Sequence, residues 1–222
     1  ASPLVFPETV FNAPGSHLAA LIGSTEINYT LVGDPGTYLQ GLALAAEWLT
    51  EGMVDGCVVA GSEEMDWLTA DAFRMFSRRL ILSDGAGALY LRNRRAGDET
   101  FVELAGITDS HLFSDRKRRA TAVQKTASQL RGGAEVGLLC DGLQDDPSLD
   151  RDEARAWTDW PGTRLSPKKF LGEGLMAAAA WQCVLAVDWL QKNEGDEALV
   201  NVVGSNQQVI GARFAKGTGV GA

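Results

Sequence analysis

Residues 33–36 read Gly-Asp-Pro-Gly and join an apolar run, Tyr29 to Val32, to a long helical pattern. A strand, a sharp turn and a helix start are how many α/β enzymes present a nucleophile. The start of such a helix offers free backbone N–H groups and a positive dipole end. This turn holds neither Cys nor Ser. The three cysteines (Cys57, Cys140 and Cys183) lie elsewhere without CxxC spacing and read as reduced, structural residues. Two histidines, His17 and His111, exclude a His-rich metal site. They serve a two-histidine mechanism only if these distant positions meet. The platform for nucleophilic chemistry is present, and the reactive atom is missing from it.

The elements that must position this turn follow from periodicity. A short helix is expected over Ser16–Ile22 and a strand over 28–32. A helix runs from about Thr37 to Glu51, with Leu39, Leu42, Ala43, Ala46 and Leu49 at 3–4 spacing. The continuous apolar run 56–61 reads as a strand buried on both faces. Residues 62–82 read as a connection. Another buried strand is expected over 85–93, with 101–109 paired beside it. Residues 118–131 read as a helix, 135–140 as a strand, and 141–152 as a loop with five aspartates. A short helix carrying Trp157 and Trp160 follows, then a long helix over about 174–192. Strands over 198–205 and 208–214 close the chain as a pair. Alternating strands and helices predict an α/β sheet with helices on both faces. A pseudo-repeat of strand, turn, helix and strand is visible at 28–61 and 135–204.

The chain has 222 residues, enough for one domain with a large core. Its formal charge of −9 argues against nucleic acid, whose phosphates select basic faces. That charge suits a cytoplasmic protein kept in solution by it. No apolar run reaches the roughly 18 residues of a membrane span. The opening ASPLVFPETVF lacks both an initiating Met and the basic start of a signal peptide, which suggests a cleaved or trimmed chain.

Three stretches, in order, resemble the β-ketoacyl synthase family of the thiolase fold. NYTLVGDPGTYLQGLALAAEWLTEGMVDGCVVAGSEE resembles its strand, nucleophile turn, helix and next strand. ILSDGAGALYL resembles its Gly-rich strand, and LSPKKFLGEGLMAAAAWQCVLAVDWL the histidine segment with its Ala-rich helix. The resemblance implies a layered α/β/α/β/α architecture with mixed sheets and buried helices. It implies one domain over 1–222, with 1–95 the remainder of the N-terminal half and 96–222 the C-terminal half. The family's opening βαβ region has no counterpart. Active members are acyltransferases that use one Cys and two His. Their nucleophile position falls at Pro35, the first histidine at Asp141 in CDGLQDD, and the second at Glu173 in KKFLGEG. The lysine of that last motif is kept as Lys168. A glutamate carried later on the helix is Gln182, and the closing GFGGTN loop is replaced by GSNQQ (204–208).

Proline can hold no acyl group, and it has no N–H to lend to an oxyanion hole. Losing one such donor alone raises a barrier by about 2.7–4 kcal/mol. As the start of a helix the same residue is well chosen. Carboxylates at the two partner positions repel a developing enolate unless desolvation keeps them protonated. The combination implies a non-catalytic, chain-length-factor-like subunit. Such a protein pairs with an active synthase or with itself and shapes an acyl-chain pocket in fatty-acid, polyketide or aryl-polyene synthesis. Acyl carrier protein is a further expected partner, and no cofactor or metal is implied. The pocket candidates are Asp34, Gly36, Tyr38, Gln40, Lys168 and Asn206.

Several of these residues have a second reading. Asp34, Asp141 and Glu173 form either an acid/base or oxygen-ligand cluster, or polar replacements held by the backbone and Lys168. Lys168 either binds a ligand carboxylate or phosphopantetheine, or neutralises Glu173. Gln40 either lines a pocket or is a satisfied core polar group. The Arg116–Arg119 run is either a docking patch for an acidic carrier or a solvated helix start. Trp48, Trp181 and Trp189 fit a core or dimer interface, and Trp67 an interface. The rival function is a malonyl- or acyl-thioester decarboxylase or hydrolase using the carboxylates.

Overall fold

A computed structural model describes residues 10–75, 77–95, 100–132, 137–192, 195–205 and 207–218. Pro3, Pro7, the start of the expected 135–140 strand and Asn206 lie outside these. The chain divides into two compact units, residues 1–33 and 34–222.

In the first unit, helix α1 (Ala13–Ile22) starts with Pro14 in its first turn and ends at Gly23, whose φ of 71° is left-handed. Residues 28–32, expected as a strand, belong to no ladder. Their apolar side chains find little cover, with Tyr29 66% and Val32 64% exposed.

The second unit is built around two helices. Helix α2 (Thr37–Thr50) starts directly after Pro35-Gly36 and buries Tyr38, Leu39, Leu42, Ala45 and Leu49. Strands β1 (Gly56–Glu63) and β2 (Gly85–Arg92) form an antiparallel two-stranded sheet, with Val58 opposite Tyr90. Helix α3 (Trp67–Arg74) lies between them in sequence, within the stretch expected to be only a connection. It forms because Asp66 caps it, accepting from Thr69 N at 2.6 Å.

The main sheet contains β3 (Thr100–Ile107), β4 (His111–Leu112), β5 (Leu138–Cys140), β6 (Thr163–Leu165), β7 (Glu197–Val203) and β8 (Gln208–Thr218). Its order is β3-β8-β7-β5-β6, with β4 also on β8. Strand β5 is parallel to β6 and β7, and the other pairings are antiparallel. Strand β3 therefore pairs with β8, not with β2 as its sequence position suggested.

Helices α4 (Arg116–Arg131), α5 (Pro147–Ala156), α6 (Lys168–Leu171) and α7 (Met176–Gln191) complete the unit. Helix α5 replaces the second half of the expected acidic loop. Asp146 caps it, accepting from Ser148 N at 2.8 Å, and Pro147 takes its first turn. Trp157 and Trp160 fall just beyond its end, not within it.

Two apolar clusters explain the layering. One face of the main sheet (Leu138, Cys140, Val200, Ile210) packs on α2 and α7; the other (Leu139, Leu199, Val209) meets Val123 of α4 and Trp157 after α5. The alanine run of α7 is buried on all sides, as a helix between two sheets requires. Positions 61 and 87 must be glycine for this contact. A Cβ there would sit 2.8 Å from Tyr38 and 2.9 Å from Ala180, respectively. Within this unit the layers are β/α/β/α. Strands β1 and β2 are covered on one face only, with Val58 47% and Tyr90 63% exposed on the other. The apolar runs that read as doubly buried strands alternate between these two faces.

Candidate functional site

The turn before α2 is tied to the opposite end of the chain. Asp34 Oδ1 accepts from Gly36 N at 3.0 Å and from Gln208 Nε2 at 2.9 Å, and Oδ2 accepts from Gln208 N at 3.3 Å. Gln208 Oε1 in turn accepts from Gln40 Nε2 at 3.1 Å and from the Ser110 hydroxyl. A Cβ on Gly36 would lie 2.9 Å from Gln208 Cγ and Cδ. Gln208 therefore occupies the space beside the turn, and Pro35 is buried. Tyr38 is a core residue, with its hydroxyl donating to Val59 O at 3.4 Å. Burial, with Cys183 beside it, drives its phenol far above the ordinary range.

Asp141 follows β5 and is fully buried. Its Oδ2 accepts from Arg164 Nε at 3.0 Å and Nη2 at 2.7 Å. Its Oδ1 accepts from Ser166 Oγ at 2.6 Å and Leu143 N at 3.2 Å. Glu153 of α5 is its neighbour. Glu153 Oε1 accepts from Gly142 N at 3.1 Å and from Asn201 Nδ2 at 2.6 Å. Burial and the charge of Asp141 push the Glu153 carboxyl up to about 7, against the pull of Asn201, Gly142 N and Lys168.

Glu173 precedes α7. Its Oε2 accepts from Lys168 Nζ at 2.6 Å, and its Oε1 accepts from Leu175 N at 2.8 Å. The lysine thus neutralises Glu173, one of its two readings. Leu175 has φ 46° and ψ −110°, a conformation that costs a non-glycine residue energy. About two turns on, Gln182 Nε2 donates to Cys140 O at 3.3 Å and Asn201 O at 2.9 Å.

Thus Pro35, Asp34 and Gly36 form one group with Gln40 and Gln208, while Asp141, Lys168 and Glu173 join Glu153 and Arg164 in another. His111 lies on β4 with its Nε2 3.1 Å from Gln129 Oε1, and His17 belongs to the first unit. A cavity of about 330 Å³ is lined by Met65, Phe73, Leu80, Leu82, Ser83 and Asp84, among others. Asp34, Gly36, Tyr38, Gln40 and Lys168 do not line it. Among the described residues no group of three His, Cys, Asp or Glu is placed to hold a metal ion.

Glu153, Arg164, Ser166, Asn201 and Gln208 were not singled out from sequence. Only Glu153 carried a signal. Its spacing from Leu149, Ala156 and Trp157 places it on the inward face of α5.

Against solved structures the chain superposes with a TM-score of 0.78 on AntDE:AntF, a type II PKS acyl-carrier protein in complex with its ketosynthase (18% identity, 97% of this chain, 65% of that one). The chain has the fold of the β-ketoacyl synthases. The ishigamide ketosynthase/chain length factor gives the same TM-score of 0.78 at 18% identity, over 97% of this chain and 64% of that one. A β-ketoacyl synthase from Burkholderia phymatum gives 0.70 at 11% identity, over 93% and 65%. This chain therefore spans slightly under two thirds of the length of these structures. No family model matches the sequence, and no curated protein matches it.

Proposed function

We propose that this chain is a non-catalytic β-ketoacyl-synthase-like subunit. It pairs with an active synthase, or with a second copy, and forms part of an acyl-chain pocket in fatty-acid, polyketide or aryl-polyene synthesis. The observation that carries this reading is the state of three positions. Residue 35 is a buried proline with no nucleophilic atom, while Asp141 and Glu173 are carboxylates already engaged by Arg164 and Lys168. A thioester bound here would find no thiol at residue 35 and no imidazole at 141 or 173, and Arg164 and Lys168 already hold the two carboxylates. Two of the structures that share the fold are described as a ketosynthase with its carrier protein and as a ketosynthase/chain length factor. They support an active synthase and an acyl carrier protein as partners; a cytoplasmic setting for the pair is part of the proposal.

The hydrolase or decarboxylase reading is weaker. Both oxygens of Glu173 are taken, one by Lys168 and one by Leu175 N. Activating water there requires breaking a buried ion pair first.

The test is reconstitution. A Cys-bearing synthase and its carrier protein are assayed for product length with and without this chain. The expected result is no product from this chain alone and a changed length distribution when it is added. Identical distributions, with no co-purification of the two proteins, would overturn the proposal.

A further inference from the structure

Five charged side chains meet between α5, α6, β6, the end of β5 and the approach to α7: Asp141, Glu153, Arg164, Lys168 and Glu173. Arg164 holds Asp141 at 2.7 Å, and Lys168 holds Glu173 at 2.6 Å. Glu153 is the third acid. It is 2% exposed, and among the described residues no cation lies at ion-pair distance from it. Three acids facing two bases sum to zero only when one proton is kept. Burial and the charge of Asp141 raise Glu153 to about 7, which makes this buried acid without a paired cation the one suited to hold that proton near neutral pH. The groups facing it are Asp141 and Cys140 from β5 and its end, Lys168 from α6 and Asn201 from β7.

Lys168 has a second acid nearby, and its charge acts on Glu153 as well as on Glu173. The position of a Cβ on Gly142 is 3.2 Å from Glu153 Oε2 and 3.8 Å from Lys168 Cε. The lysine chain and the Glu153 carboxyl thus flank the same small residue. Its present partner, Glu173, has a structural duty. Glu173 Oε1 accepts the N–H of Leu175, the residue in the costly conformation at the start of α7. Glu173 N donates to Ile81 O at 2.7 Å, and Ser83 N donates to Glu173 O at 3.1 Å. Glu63, whose carboxyl burial raises and the Met176 N–H bond lowers, feels the Glu173 charge from β1.

We propose that these side chains form a proton-operated latch: when Glu153 gives its proton to solvent, Lys168 moves from Glu173 to Glu153, and the released Glu173 lets residues 172–178 loosen. The geometry supplies the two states, one cation between two carboxylates, and the strained Leu175 supplies a segment ready to move. The inference concerns this chain alone and stands apart from any synthase partner.

The test is amide hydrogen exchange by mass spectrometry on the full chain at about pH 6 and about pH 8.5, corrected for intrinsic exchange. In the unmodified protein, protection over 172–178 should fall about tenfold or more at the higher pH, with 122–130 in α4 unchanged. Glu153→Gln should show the same protection at both pH values. Lys168→Met, which removes the moving cation, should show low protection at both. Equal protection at both pH values in the unmodified protein overturns the latch, even if a variant fails to fold. A parallel loss in α4, or a Glu153→Gln profile like the unmodified one, overturns it too.

Discussion

Lys168 Nζ donates to Glu173 Oε2 at 2.6 Å, with the two side chains only 4% and 6% exposed. The pair links α6 to the start of α7 across five residues of chain. An ion pair this dry gains from its mutual attraction but has lost two hydration shells, so its net contribution is small. Its consequences appear when one partner is removed.

Lys168→Met alone, or Glu173→Leu alone, leaves a single buried charge and is expected to cost about 3–5 kcal/mol. The double change removes both charges and should cost less than the sum, by roughly 1–3 kcal/mol. Urea unfolding midpoints of the three variants measure this. Simple additivity would mean that the two groups do not sense each other.

The anchor of the turn at residue 35 gives a second expectation. A Cβ on Gly204 would stand 1.9 Å from Asp34 Oδ2 and 2.8 Å from Gln208 O. Gly204→Ala must displace Asp34 and break its bonds to Gln208, at a cost of about 1–3 kcal/mol. Gly36→Ala meets the Gln208 side chain at 2.9 Å and must shift it against its bonds to Asp34, Gln40 and Ser110, but it leaves the bond from Gln208 N to Asp34 in place and should cost less. Thermal melts of both variants rank them, and the reverse order would show that the Asp34–Gln208 contact is dispensable.

Much of this arrangement was legible in the sequence. Helices α2 and α7 declare themselves by apolar spacing and by an alanine run that only a doubly covered helix tolerates. Pro35, Asp141 and Glu173 are local features of recognisable segments. The groups that engage them are distant. Arg164 and Ser166 reach Asp141 across 23 and 25 residues, and Gln208 reaches Asp34 across 174. No periodicity encodes such contacts, because sheet order decides them. For the same reason β3 was assigned the wrong neighbour. Helix α5 starts earlier than the sequence suggests for a different reason. Five aspartates suggested a loop, although Asp146-Pro147 is a cap followed by a first-turn proline. The exposed outer face of β1 was misread because Val58 and Ala60 are as apolar as residues facing the core.

The thiols make a third prediction. Cys140 and Cys183 are buried, and Cys57 is half-buried. Burial raises all three, and Cys140 is pushed further by Cys183, Asp141 and Glu153. A raised thiol stays protonated and unreactive at neutral pH. Ellman's reagent should label Cys57 slowly in the native protein, and the other two only after denaturation. Prompt labelling of Cys140 would mean that the interior beside Asp141 is open.

Placing sulfur at the head of α2 makes the sharpest test of the proposal that this site is non-catalytic. Pro35→Cys supplies a nucleophile and an N–H at the helix start, where the dipole favours a thiolate. Condensation nevertheless needs donors for the thioester oxygen, and positions 141 and 173 present carboxylates. The variant, given acyl- and malonyl-carrier protein, is expected to make no more condensed product by mass spectrometry than the unmodified chain. Adding Asp141→His and Glu173→His replaces those charges with donors, but it also strips Arg164 and Lys168 of their partners. The triple variant should therefore lose stability before it gains activity. Measurable condensation by Pro35→Cys alone would show that the two carboxylates are no barrier, and that only the missing sulfur separates this fold from a working synthase.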